Sequence, residues 1–294
     1  MNHPLSTFRH QIRLWKNHWV KQYLHYRVYQ ASDPYKIALR KRPYRVLWIL
    51  SHMRSGSSLL THILNANPEI IGYGETHIGY QSAQDFKQLM CKVYWQAQEY
   101  RNLGDLQKLA LQEKYILDKL LHDNKLLDPS LLLSENIHII FLVREPNRSL
   151  VSIRDLKPHW SEEETLAYYC NRLKTLVTYA HKMGDHKKAL LIRHDQLIEN
   201  SPLVFESLQK FLETDTGFSE KYQILKMTGS KHVGDHRGKI MAGQIIRTQR
   251  ELKQTISQPA IDEAQSVYQD CCKQLSQLSS VLDIDCSSAK VNSL

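Results

Sequence analysis

The sequence is poor in cysteine, with Cys91, Cys170, Cys271, Cys272 and Cys286 in 294 residues and no two of them spaced C-x-x-C. An odd set without ligand spacing excludes a zinc ribbon and does not describe a disulfide framework, so a reducing compartment is expected. Long apolar runs are also missing: none approaches the roughly 20 residues that cross a bilayer, and the N-terminus carries Arg and Trp where a signal peptide would have its apolar core. The chain is therefore read as cytoplasmic, with a membrane-peripheral placement kept open. Acid is nearly absent from residues 1 to 45, where Asp33 stands against ten Lys and Arg; that segment holds the whole formal excess of +9, and the rest balances at 29 against 29. No internal repeat and no low-complexity linker breaks the chain.

What remains, 42% apolar and 23% charged residues, suits one large soluble domain. In the basic segment, Phe8, Ile12, Trp15, Trp19, Tyr23 and Tyr26 recur at helical spacing, while Arg9, Arg13, Lys16 and Lys21 fall mostly off that stripe. Residues 1–43 are expected to form a basic amphipathic helical segment. Its aromatic stripe is expected to pack on the domain; the competing reading is contact with an anionic membrane surface or an acidic acceptor. Nucleic acid is not expected as a partner, because no further basic stripe follows.

Residues 44–50, YRVLWIL, read as a buried strand and Ser58 to Asn65 as the helix after it, stopped by Pro68. Apolar residues at three- and four-residue intervals predict helices over about 82–102 and 105–123, joined at Asn102 to Gly104, as a helical insertion at about 82–125. Ile137 to Val143, IHIIFLV, is a continuous apolar run of the kind a parallel sheet covered on both faces produces. A helix over 162–182 opens on three glutamates, a strand follows at Ala189 to Ile192, and Asn200-Ser-Pro starts a helix to about Leu212. Residues 215–250 read as irregular, 259–282 as a last helix, and 283–294 as a tail. Alternating strands and helices predict an α/β, P-loop-like three-layer fold with a central parallel sheet flanked by helices, one domain over 44–282.

Between the first strand and its helix lies SHMRSGSS, residues 51–58. In a loop that grips a nucleoside triphosphate, a lysine follows the second glycine, and here Ser57 stands at that position and Ser51 at that of the first glycine. The strand 137–143 ends in Arg144 where a magnesium-holding acid would be expected. A cation there points to an anion. Gly56 permits close backbone approach, the helix N-terminus adds partial positive charge, Ser55, Ser57 and Ser58 offer hydroxyls, and Arg54 a guanidinium. On its own the pentapeptide also fits a structural helix cap. A second constellation, FLVREPNRSLVSI at 141–153, again leaves a strand for a helix, with Arg148 and Ser152 one turn apart behind Arg144. Two anion sites at the carboxyl edge of a parallel sheet suit one nucleotide with two separated phosphates.

RSGSSLL followed by FLVREPNRSLVSI resembles the 5′-phosphosulfate loop and the 3′-phosphate motif of sulfotransferases that use 3′-phosphoadenosine 5′-phosphosulfate. The resemblance extends from about residue 46 to 255. NPEIIGYGET places Glu75 21 residues after Arg54, the relation of the corresponding glutamate in tyrosylprotein sulfotransferases. LIRHDQLIENSPLVFESLQKFL looks like the family's strand-and-helix segment, with His194 where many members carry Tyr. KHVGDHRG, 231–238, looks like a divergent nucleotide-covering loop.

The resemblance implies that Arg54 with Ser55, Gly56, Ser57 and Ser58 grips the 5′-phosphosulfate, and that Arg144 and Ser152, with Arg148 assisting, hold the 3′-phosphate. Glu75 would be the general base for an acceptor hydroxyl, with His77 as the alternative base and a loop-capping carboxylate as the plain reading. Glu145 is set aside as a base and expected to pair with Arg148 or Arg154. Arg237 and Gly238, with Lys239, would form a cationic flap, against the plain reading of a solvated loop. His232 and His236 are four apart but flank Gly234, and no metal is expected. The function expected is metal-independent sulfuryl transfer from that co-substrate to a hydroxyl of a carbohydrate, glycolipid, tyrosine peptide or small alcohol. The alternatives are a catalytically inactive nucleotide-binding or membrane-associated protein and, behind it, a P-loop kinase.

Overall fold

The computed structural model describes residues 4–97, 111–183, 186–225, 228–229, 239–248, 252 and 254–282. The expected flap, with Arg237, Gly238, His232 and His236, lies outside the described residues, as do Cys286 and the tail.

The centre is a parallel sheet of six strands, β1 (Arg45–Ser51), β2 (Ile70–Gly72), β3 (Tyr115–Leu120), β4 (Ile137–Val143), β5 (Ala189–Arg193) and β6 (Ser280–Val281), in the order β2-β3-β1-β4-β5-β6. This is the predicted α/β sandwich. Successive residues of β1 serve opposite faces. Val46, Trp48 and Leu50 join a core with helices α3 (Asp85–Lys92), α5 (Glu162–Lys182) and α8 (Gln258–Leu278), and Leu47 and Ile49 join another with α2 (Ser57–Asn65) and α7 (Ser201–Leu212). Two further helices complete the middle of the chain, α4 (Pro146–Leu156) and the short α6 (His194–Glu199).

The register sets Leu50 beside Leu120 on β3 and Phe141 on β4, so three strand ends open side by side. After β1 the chain crosses toward β2 and β3, whereas after β4 it crosses toward β5 and β6. The crevice between β1 and β4 is therefore the switch point where open α/β sheets bind ligands.

Two expectations need correction. The helix expected over 105–123 is overturned at 115–120, which is β3, buried on both faces and paired with β1 and β2. Its Asp118 and Lys119 imitate a solvent face, yet both are buried. Within the other expected helix, 82–102, lie α3 and a π-helical turn at Val93–Ala97. The N-terminal helix α1 (Pro4–Gln30) exists, but its aromatic stripe does not dock: Val20, Leu24 and Val28, on the other side, enter the core, while Trp15 and Trp19 remain 67% and 57% exposed. Val and Leu side chains carry no polar edge that burial would have to pair.

Candidate active site

The chain leaves β1 at Ser51 and turns through Arg54 (φ +65°) and Gly56 (φ +95°) into the N-terminus of α2. Only glycine suits position 56, since a Cβ there would lie 2.6 Å from His194 Cδ2 in addition to the strained φ. The first N–H groups of α2 have no partner inside the helix, which leaves them available to an anion. Ser51 Oγ lies 2.5 Å from both Ser55 Oγ and the Leu142 carbonyl, so the residue that replaces a glycine of a triphosphate loop straps this loop to β4. Ser55 is fully buried in that contact, beneath the cleft that Arg54, Gly56, Ser57 and Ser58 line.

The second motif meets the first directly. Arg54 Nε donates to Ser152 Oγ at 2.8 Å, and Arg144 Nη1 donates to the Arg54 carbonyl at 3.1 Å. Between them lies a residue that the sequence did not single out. The Arg144 N–H donates to His52 Nε2 at 3.1 Å, which leaves Nδ1 to donate to the Met53 carbonyl at 2.8 Å, so His52 bridges the two loops as a neutral imidazole. Burial, helped by the Arg144 and Arg172 guanidiniums, holds its pKa down to about 4. Burial, then Arg144 and His52, likewise holds His194 down to about 3. Glu145 accepts the Arg148 backbone N–H at 3.1 Å and so caps α4, a use different from the side-chain pairing expected of it.

Glu75 forms the opposite wall. Its carboxylate is buried, with Oε2 3.8 Å from Lys119 Nζ and Oε1 3.5 Å from Nδ1 of the half-exposed His77. Lys119, near the end of β3, also donates to Ser58 Oγ at 3.1 Å, and so joins the Glu75 wall to the start of α2. Burial lowers the pKa of this ammonium and Glu75 opposes the shift. Next to it, Asp118 faces the other way and accepts from the Thr76 N–H at 3.1 Å, the Thr76 hydroxyl and Tyr80 OH at 2.7 Å, which fixes the loop that carries Glu75. Burial pushes the Asp118 pKa up, against those hydrogen bonds.

Helix α5 laces the strand ends together. Tyr168 OH accepts from Met53 N–H and donates to the Leu121 carbonyl, both at 3.0 Å, and Tyr169 OH donates to the Arg144 carbonyl at 2.6 Å. Arg172 is buried and donates to the Ser51 carbonyl at 2.8 Å, the Leu120 carbonyl at 2.7 Å and Asp123 Oδ1 at 2.5 Å. Its full charge is spent on carbonyls and one carboxylate behind the site.

Arg54, Ser57, Ser58, Glu75, Lys119, Arg144, Arg148 and Ser152 thus share one cleft of about 690 Å³, a size that admits a nucleotide. Guanidiniums gather on one wall and a carboxylate stands on the other, an arrangement able to fix an anion and to receive a proton. Among the described residues, no group of three or more His, Cys, Asp and Glu is placed to hold a metal ion.

Among solved structures, the sulfotransferase domain from the curacin biosynthetic pathway is similar to this chain, with 16% identity and a TM-score of 0.51 over 81% of this chain and 99% of that one. At that identity the likeness is one of fold. The sulfotransferase domain of the Synechococcus PCC 7002 olefin synthase stands at 17% identity and a TM-score of 0.46 over 80% and 98% of the two chains. Mouse sulfotransferase SULT7A1 in complex with PAP stands at 12% and 0.39 over 65% and 64%. No curated protein matches the sequence. The model of the sulfotransferase family, by contrast, matches residues 47–219, more than half of the chain and the stretch that holds both anion motifs and Glu75; the chain belongs to the sulfotransferase family.

Proposed function

We propose that the chain transfers the sulfuryl group of 3′-phosphoadenosine 5′-phosphosulfate to a hydroxyl of an acceptor without a metal ion. The observation that carries this reading is the Arg54–Ser152 hydrogen bond, because it makes the two anion motifs contiguous walls of one cleft. In the proposed step the acceptor oxygen attacks sulfur, the bond from sulfur to the bridging oxygen breaks, and its electron pair leaves on the 5′-phosphate of adenosine 3′,5′-bisphosphate. The hydroxyl proton passes to Glu75. Arg54, with Ser57, Ser58 and the α2 N-terminus, is assigned to the phosphosulfate, where its permanent charge favours the charge growing on the leaving oxygen. Arg144, Ser152 and Arg148 are assigned to the 3′-phosphate. Lys119 orients Glu75 and Ser58 toward one another. Arg237 and Gly238 are assigned to a covering flap.

A carboxylate base serves a carbohydrate, glycolipid, tyrosine peptide or small alcohol alike, so the acceptor class is to be read from its product. The test is transfer of ³⁵S from labelled donor in EDTA to a panel of such hydroxyls and to a fractionated cell extract. The wild type should label an acceptor, and Glu75→Gln should lose about 10²- to 10⁴-fold in turnover while keeping its affinity for the bisphosphate. Retained bisphosphate binding with no labelled product would favour a non-catalytic binding protein. Phosphoryl transfer from MgATP would contradict the reading altogether.

A further inference from the structure

Helix α1 is fastened to the domain by one face and one end. Val20, Leu24 and Val28 are in the core, and Lys87 Nζ donates to the carbonyls of Val28, Ala31, Asp33 and Lys36 at 2.9, 3.0, 2.7 and 2.8 Å, so a buried ammonium closes the helix C-terminus. The Arg27 guanidinium adds two donations to the Ala38 carbonyl. These contacts fix the rotation of the helix. At 100° per residue, Ile12, Trp15, Trp19, Tyr23 and Tyr26 then fall on a face turned by about 120° from that of Val20 and Leu24. They are exposed by 51%, 67%, 57%, 44% and 60%, and Trp15 and Trp19 meet edge to face at 5.9 Å. A contiguous apolar ridge of this length on a water-facing surface marks an interaction site.

We propose that this ridge seats α1 in the headgroup layer of an anionic lipid membrane, with the domain held above it. The chemistry of the ridge favours lipid. Trp and Tyr have an apolar body and a polar edge suited to the boundary between water and acyl chains. Charge complementarity favours an anionic surface over a second copy of the chain. The ridge lies within the segment that holds the whole +9 excess and the single acid Asp33, so two copies meeting ridge to ridge would bring like charges together. A membrane rich in acidic headgroups offers the opposite sign. The proposal stands on α1 alone and does not require the assignment of the cleft.

The test is sedimentation of the full chain with vesicles of phosphatidylcholine alone and of phosphatidylcholine with phosphatidylserine, together with tryptophan emission and the solution mass. Binding to the anionic vesicles is expected, with a blue shift of emission and with loss at high salt. The paired change Trp15→Ser and Trp19→Ser should reduce it by about tenfold or more while leaving the melting temperature and bisphosphate affinity in place. A chain that stays in the supernatant with anionic vesicles overturns the proposal, as does unaltered binding by the paired variant. A dimer whose dissociation follows from the same two substitutions overturns it too, in favour of a second copy. Should the paired variant misfold, Tyr26→Ser alone must still weaken vesicle binding.

Discussion

The His52 imidazole can bridge the two anion loops only while it is neutral, because Nε2 accepts the Arg144 N–H as Nδ1 donates to Met53. An unfolded histidine takes up its proton near pH 6.5, and burial delays that in the folded chain to about pH 4. The folded pKa being the lower one, stability is whole above about pH 6.5 and falls as the pH drops from there toward 4. For His52 alone the loss is on the order of 3 kcal/mol. Urea unfolding of wild type and His52→Asn at about pH 7.5 and about pH 5 measures it. The substitution should reduce the acid-induced loss, and an identical loss in both proteins would contradict the bridge. At this scale the residues legible in the sequence are those whose chemistry is carried by a local pattern: Arg54 and Gly56 before a helix, and Arg144 and Ser152 after a strand. His52, Asp118, Lys119 and Arg172 owe their roles to neighbours far along the chain, such as Thr76 for Asp118, 42 positions away, and Ser51 for Arg172, 121 positions away. No spacing within their own segments announces such contacts.

Among the elements, the turn into α2 belongs to the proposed anion site. Its backbone at Gly56 is left-handed and His194 fills the space a side chain would need. Gly56→Ala is expected to cost about 1–3 kcal/mol in unfolding free energy and to weaken bisphosphate binding by at least about tenfold, because the ring or the loop must move. Urea unfolding and a calorimetric titration check the two halves; wild-type affinity in the variant would show that the turn does not shape the anion site. The elements differed in how plainly they could be read. β1 and β4 are strands of seven residues buried almost throughout, with unbroken apolar runs at 46–50 and 139–143, and they declare themselves. β3 hides because Asp118 and Lys119 interrupt its apolar run, and the helical spacing of the residues around them invites the wrong period. Both charges are spent on the walls of the cleft, Asp118 on Thr76 and Tyr80 and Lys119 on Ser58 and Glu75, so these contacts obscured the strand. In α1 the period is right and the face is wrong, since the helix carries two apolar rows and the core took Val20, Leu24 and Val28 while Trp15 and Trp19 stayed exposed.

In the whole molecule, the sheet order β2-β3-β1-β4-β5-β6 converts two separate sequence motifs into one cleft, because β1 and β4 are adjacent and their crossovers leave in opposite directions. A parallel sheet was legible from alternating elements, but this adjacency was not, since three of the six strands are short or masked by polar residues. On the proposed reading, each phosphate of the co-substrate is taken by one of the two loops that line this cleft. The decisive measurement is therefore a calorimetric titration, in EDTA, of wild type and Arg144→Ala with adenosine 3′,5′-bisphosphate and with each adenosine monophosphate. The account predicts that the bisphosphate binds wild type at least about tenfold more tightly than either monophosphate, and that Arg144→Ala removes most of that advantage. Equal affinity for all three ligands, or an advantage that survives the loss of Arg144, would contradict it.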